Sequence, residues 1–291
     1  VSTSNAWRHA QLVLDKAIAR ELAQSLETFR SDLLAGTDDL DEIIAKAEQK
    51  FLEFGQQAAK KKEIITIAIA AAEQQRALDE RQKHGVHVLG LPTGLCDLDK
   101  ATTGMYPGEM WVSAGRPATG KTSLVLQIAS YVGLHCAKPA LIFSSEMPIP
   151  DVMNRLCANL AKVPLTRIRT GTMTSDQQLR VREHLRRLAA LPLYFDDSRN
   201  LKVSDIRARA IRMRQKLGEL PLVVVDYLQL IEPGVKTDNR AQAVASVART
   251  LFNLAGEIDT TVLAAAQLSR SMEMRKGHDR RPKMSDLGES G

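Results

Sequence analysis

The 291-residue sequence predicts an α/β protein: a mostly parallel β-sheet covered by helices, preceded by an α-helical hairpin and a further helix. Three observations carry this expectation. From residue 85 onward, short β-rich runs alternate with helical stretches, the pattern of parallel strands joined by helical crossovers. Before residue 85, apolar residues recur at threes, fours and sevens, the spacing of amphipathic helices. One β-rich run also leads through a glycine-bearing loop into a helix, the setting of a phosphate-binding loop.

In chain order, Trp7, Leu14, Ile18, Leu22, Leu26, Phe29 and Leu33 form the stripe of one long helix that Gly36 can end. Thr37 to Asp41 can cap a second helix, with acids in its first turn where the helix dipole favours them. Its stripe is Leu40, Ile43, Ile44, Ala47, Phe51 and Phe54. Two such helices make a hairpin that cannot cover its own apolar faces, so it needs a partner. After the polar Lys60-Lys61-Lys62 comes a helix from about Glu63 to Lys83, whose first half, IITIAIAAA, is apolar nearly all round. Such a helix must be covered, and the two candidates are a groove of its own body and one on a neighbouring copy. Strands are expected at MWVSAG (110–115), ALIFSS (140–145), LPLYFDD (191–197), LVVVD (222–226) and TVLAAAQ (261–267). LVVVD, apolar throughout, fits a central strand. The polar, basic segment from Arg270 to Gly291 reads as a loop.

Composition excludes several classes. The longest mainly apolar run, Ile64 to Ala72, is far short of the roughly 20 residues of a membrane-spanning helix. No export signal is visible at the N-terminus, so the expectation is a cytoplasmic protein with no membrane partner. Cys96, Cys136 and Cys157 are widely spaced and suit neither a disulfide framework nor a zinc site; all three are expected to be small buried hydrophobes. Residues 1–84 carry 12 Lys and Arg against 14 Asp and Glu, and residues 85–291 carry 28 against 20, so the +6 net charge divides into −2 and +8. A basic body suits a polyanionic partner. With only 12 aromatic residues, any contact with nucleic acid should run through phosphates rather than stacked bases.

The chemistry gathers at strand ends. Gly115-Arg-Pro-Ala-Thr-Gly120-Lys121-Thr122 fits GxxxxGK[ST]. Its backbone amides can cradle phosphate oxygens, Lys121 can reach the β and γ phosphates, and Thr122 can ligate Mg²⁺. Asp226 closes LVVVD; alone it would suit a turn, but beside Lys121 and Thr122 it suits the metal ion. Glu146 follows ALIFSS and can polarise an attacking water, or else cap the helix that begins around Pro148. Gln267 ends TVLAAAQ and can sense the γ phosphate, or else be a polar strand terminus. One sheet edge would thus collect all four sets of groups. The helix after Val203 places Ile206, Ala210, Met213 and Leu217 inward. Its Arg207, Arg209, Arg212, Arg214 and Lys216 are then expected to be a solvated face, as are Arg180, Arg182, Arg186 and Arg187.

With these motifs in hand, the chain resembles the DnaB family of replicative DNA helicases. LPTGLCDLDKATTG, GRPATGKT, FSSEMP, IRTGTMT, VSDIRARAIRMR, VVVDYLQL, AQLSRSMEMR and RPKMSDLGESG follow in that family's order. The resemblance implies a RecA-like P-loop motor, a homohexameric ring with ATP and Mg²⁺ between subunits, and single-stranded DNA in its channel. It further implies 5′-to-3′ unwinding, and a primase and a helicase loader as partners. By position, Thr119 to Ser123 (Thr119, Gly120, Lys121, Thr122 and Ser123) would hold phosphates, and Arg155 would contact the nucleotide. Glu146 would be catalytic, Asp226 the Walker B acid, and Gln267 the sensor. Glu289 and Gly291 would meet the DNA backbone, as would the loop from Gly234 to Arg240. Residues 1–57 would be the closing hairpin of an N-terminal domain, 58–84 a linker helix that docks on the adjacent subunit, and 85–291 a motor domain truncated at its C-terminal end.

Gly288 stands where the family pattern DLRESG has Arg, which removes one implied DNA contact; the family's arginine finger falls beyond Gly291, so nucleotide binding with weak hydrolysis by this chain alone is expected. RecA-type and circadian-type ATPases share the core but not VVVDYLQL or SDLGESG. A non-catalytic module that recruits partners through its helical arm is the alternative of a different kind.

Overall fold

In a computed structural model, residues 20–34, 43, 44, 46–51, 66–84, 88–234 and 239–268 are described. The chain divides into two compact units, Val1–Lys83 and His84–Gly291.

In the first unit, residues 20–34 and 46–51 are helical, and Lys50 Nζ lies 3.4 Å from Glu21 Oε1, an ion pair between the two stretches. Ile43 is buried, whereas Leu26, Leu33, Leu34, Ile44 and Phe51 remain exposed. The expected stripe residues Trp7, Leu14 and Ile18, and the turn at Gly36 to Asp41, lie outside the described residues. Helix α1 spans Ile67–His84. Its expected start near Glu63 also lies outside, but the apolar first turn is visible, with Ile67 85% and Ile69 49% exposed.

The second unit is built on five parallel strands, β1 (Met110–Gly115), β2 (Ala140–Ser144), β3 (Leu193–Asp196), β4 (Leu222–Asp226) and β5 (Thr261–Gln267), in the spatial order β1-β5-β4-β2-β3. The apolar run LVVVD does become the central strand, buried at every position. Two expected strands are shorter than the sequence suggested. β2 ends at Ser144, and the Ser145 amide still closes the last bond to β4, donating to the Asp226 carbonyl at 3.1 Å. β3 keeps four residues, since Leu191 and Pro192 turn out of the preceding helix and Asp197 turns toward another.

Helices cover both faces. On one lie α3 (Lys121–His135) and α4 (Ile149–Ala161), whose Val125, Ile128, Val132, Val152 and Leu156 pack with Ile142, Val224 and Leu263 in one buried cluster. α5 (Leu165–Thr170) and α6 (Ser175–Ala189) extend this layer. Side chains alternate across a strand, so Phe143, Val223, Val225 and Val262 face the other side, where α7 (Val203–Leu217) and α8 (Arg240–Glu257) pack. A short α2 (Cys96–Thr102) precedes the sheet.

Two expectations need correction. Cys157 is buried in the α4 core, but Cys136 is only half-buried and Cys96, which opens α2, is exposed. The arginines of α7 are not simply a solvated face. Arg207 makes a two-pronged ion pair with Glu257 of α8 (2.9 and 2.8 Å), and Arg209 binds the Asp196 carboxylate and the Ser198 hydroxyl at the tip of β3. The sequence could not show that acids from other elements come within reach. Arg182, Arg186 and Arg187 do stand exposed. Among the described residues, no helix is long and apolar enough to cross a membrane.

Candidate functional site

Because all five strands run the same way, their carboxyl ends share one edge. Register puts Gly115 level with Gln267 and Ser144 level with Asp226. Beyond this edge lies a cavity of about 390 Å³, lined by Gly120, Lys121, Thr122 and Ser123 of the loop and α3, by Glu146, Met147 and Arg155, and by Tyr227 and Gln267, among others. Residues distant in sequence thus converge as the motifs suggested. Gly115, Thr119 and Asp226 do not line the cavity.

Each loop residue has a physical reason to be there. Gly120 has φ +93°, a conformation open to glycine at little cost, and it leaves the start of α3 without a side-chain cap. A Cβ on Gly115 would lie 2.7 Å from Thr119 Oγ1, so a larger residue there would have to displace the Thr119 side chain from the turn. Thr119 Oγ1 and Lys121 Nζ both donate to the Arg116 carbonyl, at 2.7 and 2.8 Å, which folds the loop back on itself.

Asp226 is the most unusual group. Only 3% exposed, it has both carboxylate oxygens buried with no hydrogen-bond partner. Burial pushes its carboxyl above the ordinary 3.8. The Thr122 hydroxyl draws it down without forming a well-shaped hydrogen bond, Glu146 pushes it up, and Lys121 and Arg155 pull it down. A turn-forming aspartate would spend its oxygens on nearby amides, which this one does not do. Two bare oxygens beside a threonine hydroxyl suit a hard cation. Mg²⁺ fits such a site, with one or two protein oxygens and the rest of its shell from phosphate and water. Among the described residues, no cluster of three or more His, Cys, Asp or Glu could hold a metal without such help.

α4 is not capped by Glu146: the amide of Ile149 at its start donates to Asp197 Oδ2, beyond β3, at 3.1 Å. Glu146 is left facing the cavity. Gln267 has its backbone held on both sides, by β1 and by the side chain of Gln229, while its side chain lines the cavity. Arg155 borders the same space, and its Nε is buried without a partner, as is Ser145 Oγ. Ser145, Asp197 and Gln229 were not singled out from sequence; Ser145 and Asp197 each close an expected strand, the one signal that could have pointed to them, and Gln229 carries none.

Arg240 opens α8 and is exposed; its charge acts on Tyr227, whose hydroxyl is pushed up by burial and by Glu146 and pulled down by Arg240. Residues 235–238 of the expected channel loop lie outside the described residues, as do Gly288, Glu289 and Gly291. A second, more apolar cavity of about 330 Å³ sits between α3 and α4, with Leu126, Tyr131, Leu156 and Leu160 on its walls, and shares Ser123 and Arg155 with the first.

A parallel sheet in this order, with a glycine loop from β1 into a helix and an acid at the end of the central strand, defines a P-loop protein with a RecA-like core. The family of DnaB-like helicase C-terminal domains matches residues 90–291, and the chain belongs to that family. It is 34% identical over 294 residues to the replicative DNA helicase DnaB of Geobacillus stearothermophilus, covering 100% of this chain and 63% of that protein. It is 33% identical over 300 residues to DnaB of Haemophilus influenzae, covering 99% and 62%. The chain therefore spans less than two thirds of the length of these curated relatives. Among solved structures it is similar to an ATPase domain with TM-score 0.70 and 27% identity, over 79% of this chain and 80% of that one. A DnaB-like replicative helicase, solved in a study of its interactions with primase, matches in fold with TM-score 0.79 and 24% identity over 100% and 66%.

Proposed function

We propose that the chain is the motor portion of an ATP-driven replicative DNA helicase, a ring of identical subunits that moves 5′ to 3′ on single-stranded DNA. The observation that carries this reading is the buried, unpartnered carboxylate of Asp226 beneath a cavity lined by Lys121, Thr122, Glu146 and Gln267. In this reading the loop amides from Thr119 to Ser123 cradle the phosphates, and Lys121 leaves the Arg116 carbonyl for the β and γ oxygens. Thr122 and Asp226 would hold Mg²⁺, which when bound neutralises charge on those oxygens. Glu146 takes the proton of an attacking water, Arg155 contacts the nucleotide, and Gln267 hydrogen-bonds the γ phosphate.

The same reading makes residues 1–57 part of an N-terminal hairpin, and 58–84 a linker whose helix α1 docks on the next copy. Exposed Ile67 and Ile69, and the apolar cavity between α3 and α4, support this. Arg240, with Glu289 and Gly291, would face DNA phosphates, and a primase and a loader would be partners of the whole protein in the cytoplasm.

Lys121→Ala and Glu146→Gln in the complete protein test the reading. Both should abolish unwinding, and Glu146→Gln should keep ATP binding while losing about 10² to 10⁴ in turnover. A Glu146→Gln protein that hydrolyses ATP at the parent rate would remove the catalytic assignment. Unimpaired hydrolysis in Lys121→Ala would remove the site.

A further inference from the structure

The carboxyl end of β5 poses a problem of support. β4 pairs with β5 only as far as Val225 opposite Ala264, then turns away after Asp226. β5 runs on to Gln267, still paired with β1 through Gly115, which also accepts the Leu268 amide at 3.2 Å. On the β4 side, the main-chain groups of Gln267 would lack a neighbour. Gln229, in the single turn of 3₁₀ helix at Leu228–Leu230, fills that place. Its Nε2 donates to the Gln267 carbonyl at 3.0 Å and its Oε1 accepts from the Gln267 amide at 3.0 Å. One side-chain amide thereby imitates a strand and continues the ladder past its natural end.

We propose that Gln229 is a positioning residue: it fixes the backbone of Gln267 so that the Gln267 side chain is aimed at the terminal phosphate. This rests on the nucleotide reading of the cavity. The link is short, because Gln229 lies three residues after Asp226 and is tied to it by the Tyr227–Leu230 turn, closed by the Leu230 amide on the Tyr227 carbonyl at 3.1 Å. The acid at the end of β4 and the amide at the end of β5 are thus held in one frame, whose other side is the first glycine of the phosphate loop. The pair needs a donor and an acceptor on one planar group at one reach. Asparagine is too short, and ionised glutamate offers two acceptors to a carbonyl.

Gln229→Ala and Gln229→Glu in the complete protein test this, with Lys121→Ala alongside. In Gln229→Ala, binding of a non-hydrolysable ATP analogue should stay near parent strength. The kcat should fall about tenfold or more, the effect of losing one or two neutral hydrogen bonds that act on the reacting geometry. Gln229→Glu keeps the shape of the side chain, and its protonated form again offers one donor and one acceptor. Its kcat, divided by that of the parent at each pH, should therefore rise as pH is lowered, a recovery that damaged folding would not produce. A parent-like kcat in Gln229→Ala, or a flat ratio across pH in Gln229→Glu, overturns the proposal. If Lys121→Ala hydrolyses ATP normally, the nucleotide reading fails and this inference with it. If Lys121→Ala is dead and both Gln229 variants are unimpaired, only the positioning role fails.

Discussion

Asp226 concentrates the chemistry of the molecule at one residue. A carboxylate buried without hydrogen bonds costs stability, and the sign of its pH dependence follows from its raised pKa. The folded state holds the proton more firmly than the unfolded chain. Stability is therefore lost as pH rises from the ordinary 3.8 through the raised value. Asp226→Asn should raise the melting temperature at neutral pH by an amount worth about 1 to 3 kcal/mol. The gain should disappear on acidification below 3.8. The variant should also lose the extra thermal protection that Mg²⁺ adds to nucleotide. Calorimetry across pH reads all three, and a neutral-pH loss of stability would show that the carboxylate is satisfied after all. The meeting of Lys121, Thr122, Asp226 and Glu146 at one sheet edge was legible in the sequence because each position follows from local spacing or from a strand end. Gln229 was not, because its partner is 38 residues away and the signal is a backbone, which leaves no mark in residue type.

Among the elements, α4 shows how a site is built by something outside it. The helix carries Arg155, and its first turn is held by Asp197, a residue 48 positions further along the chain. Asp197→Ala should cost about 1 kcal/mol, within the range of lost helix caps, and weaken nucleotide binding through Arg155 with little change elsewhere. Chemical denaturation and a nucleotide titration together check it; unchanged affinity would detach the cap from the site. The helical periodicity of α7 and the apolar strands were readable from sequence, since burial leaves a period behind. The ion pairs of Arg207 and Arg209 were not, because a charged stripe looks the same whether its partners are acids on neighbouring elements or water.

At the scale of the whole molecule, the exposed apolar residues of the first unit matter most. Ile67 and Ile69 stand on α1 where nothing in their own unit covers them. If α1 docks on a neighbouring copy, Ile67→Asp together with Ile69→Asp should break the ring into smaller species by light scattering. Folding stability should change by less than about 0.5 kcal/mol, as for ordinary surface substitutions. A ring of full mass in the double variant would exclude α1 from assembly. Alternation of strands and helices made the sheet legible, and the nearly all-apolar run IITIAIAAA at the start of α1 made its need for a cover legible. What covers it was not, because an apolar face specifies burial and not an address.

The tip of β3 has a wider meaning. Asp196 is gripped by Arg209 of α7, on one face of the sheet, and the next residue, Asp197, holds α4 on the opposite face. Neighbouring residues of an extended chain point to opposite sides. Sliding β3 one place along β2 would therefore send each carboxylate toward the wrong helix, and both fastenings would open together. An outermost strand of only four residues has few ladder bonds with which to choose its alignment. These two aspartates act as a key that fits in one position, so the shortest strand of the sheet is also the one whose alignment is checked from both sides.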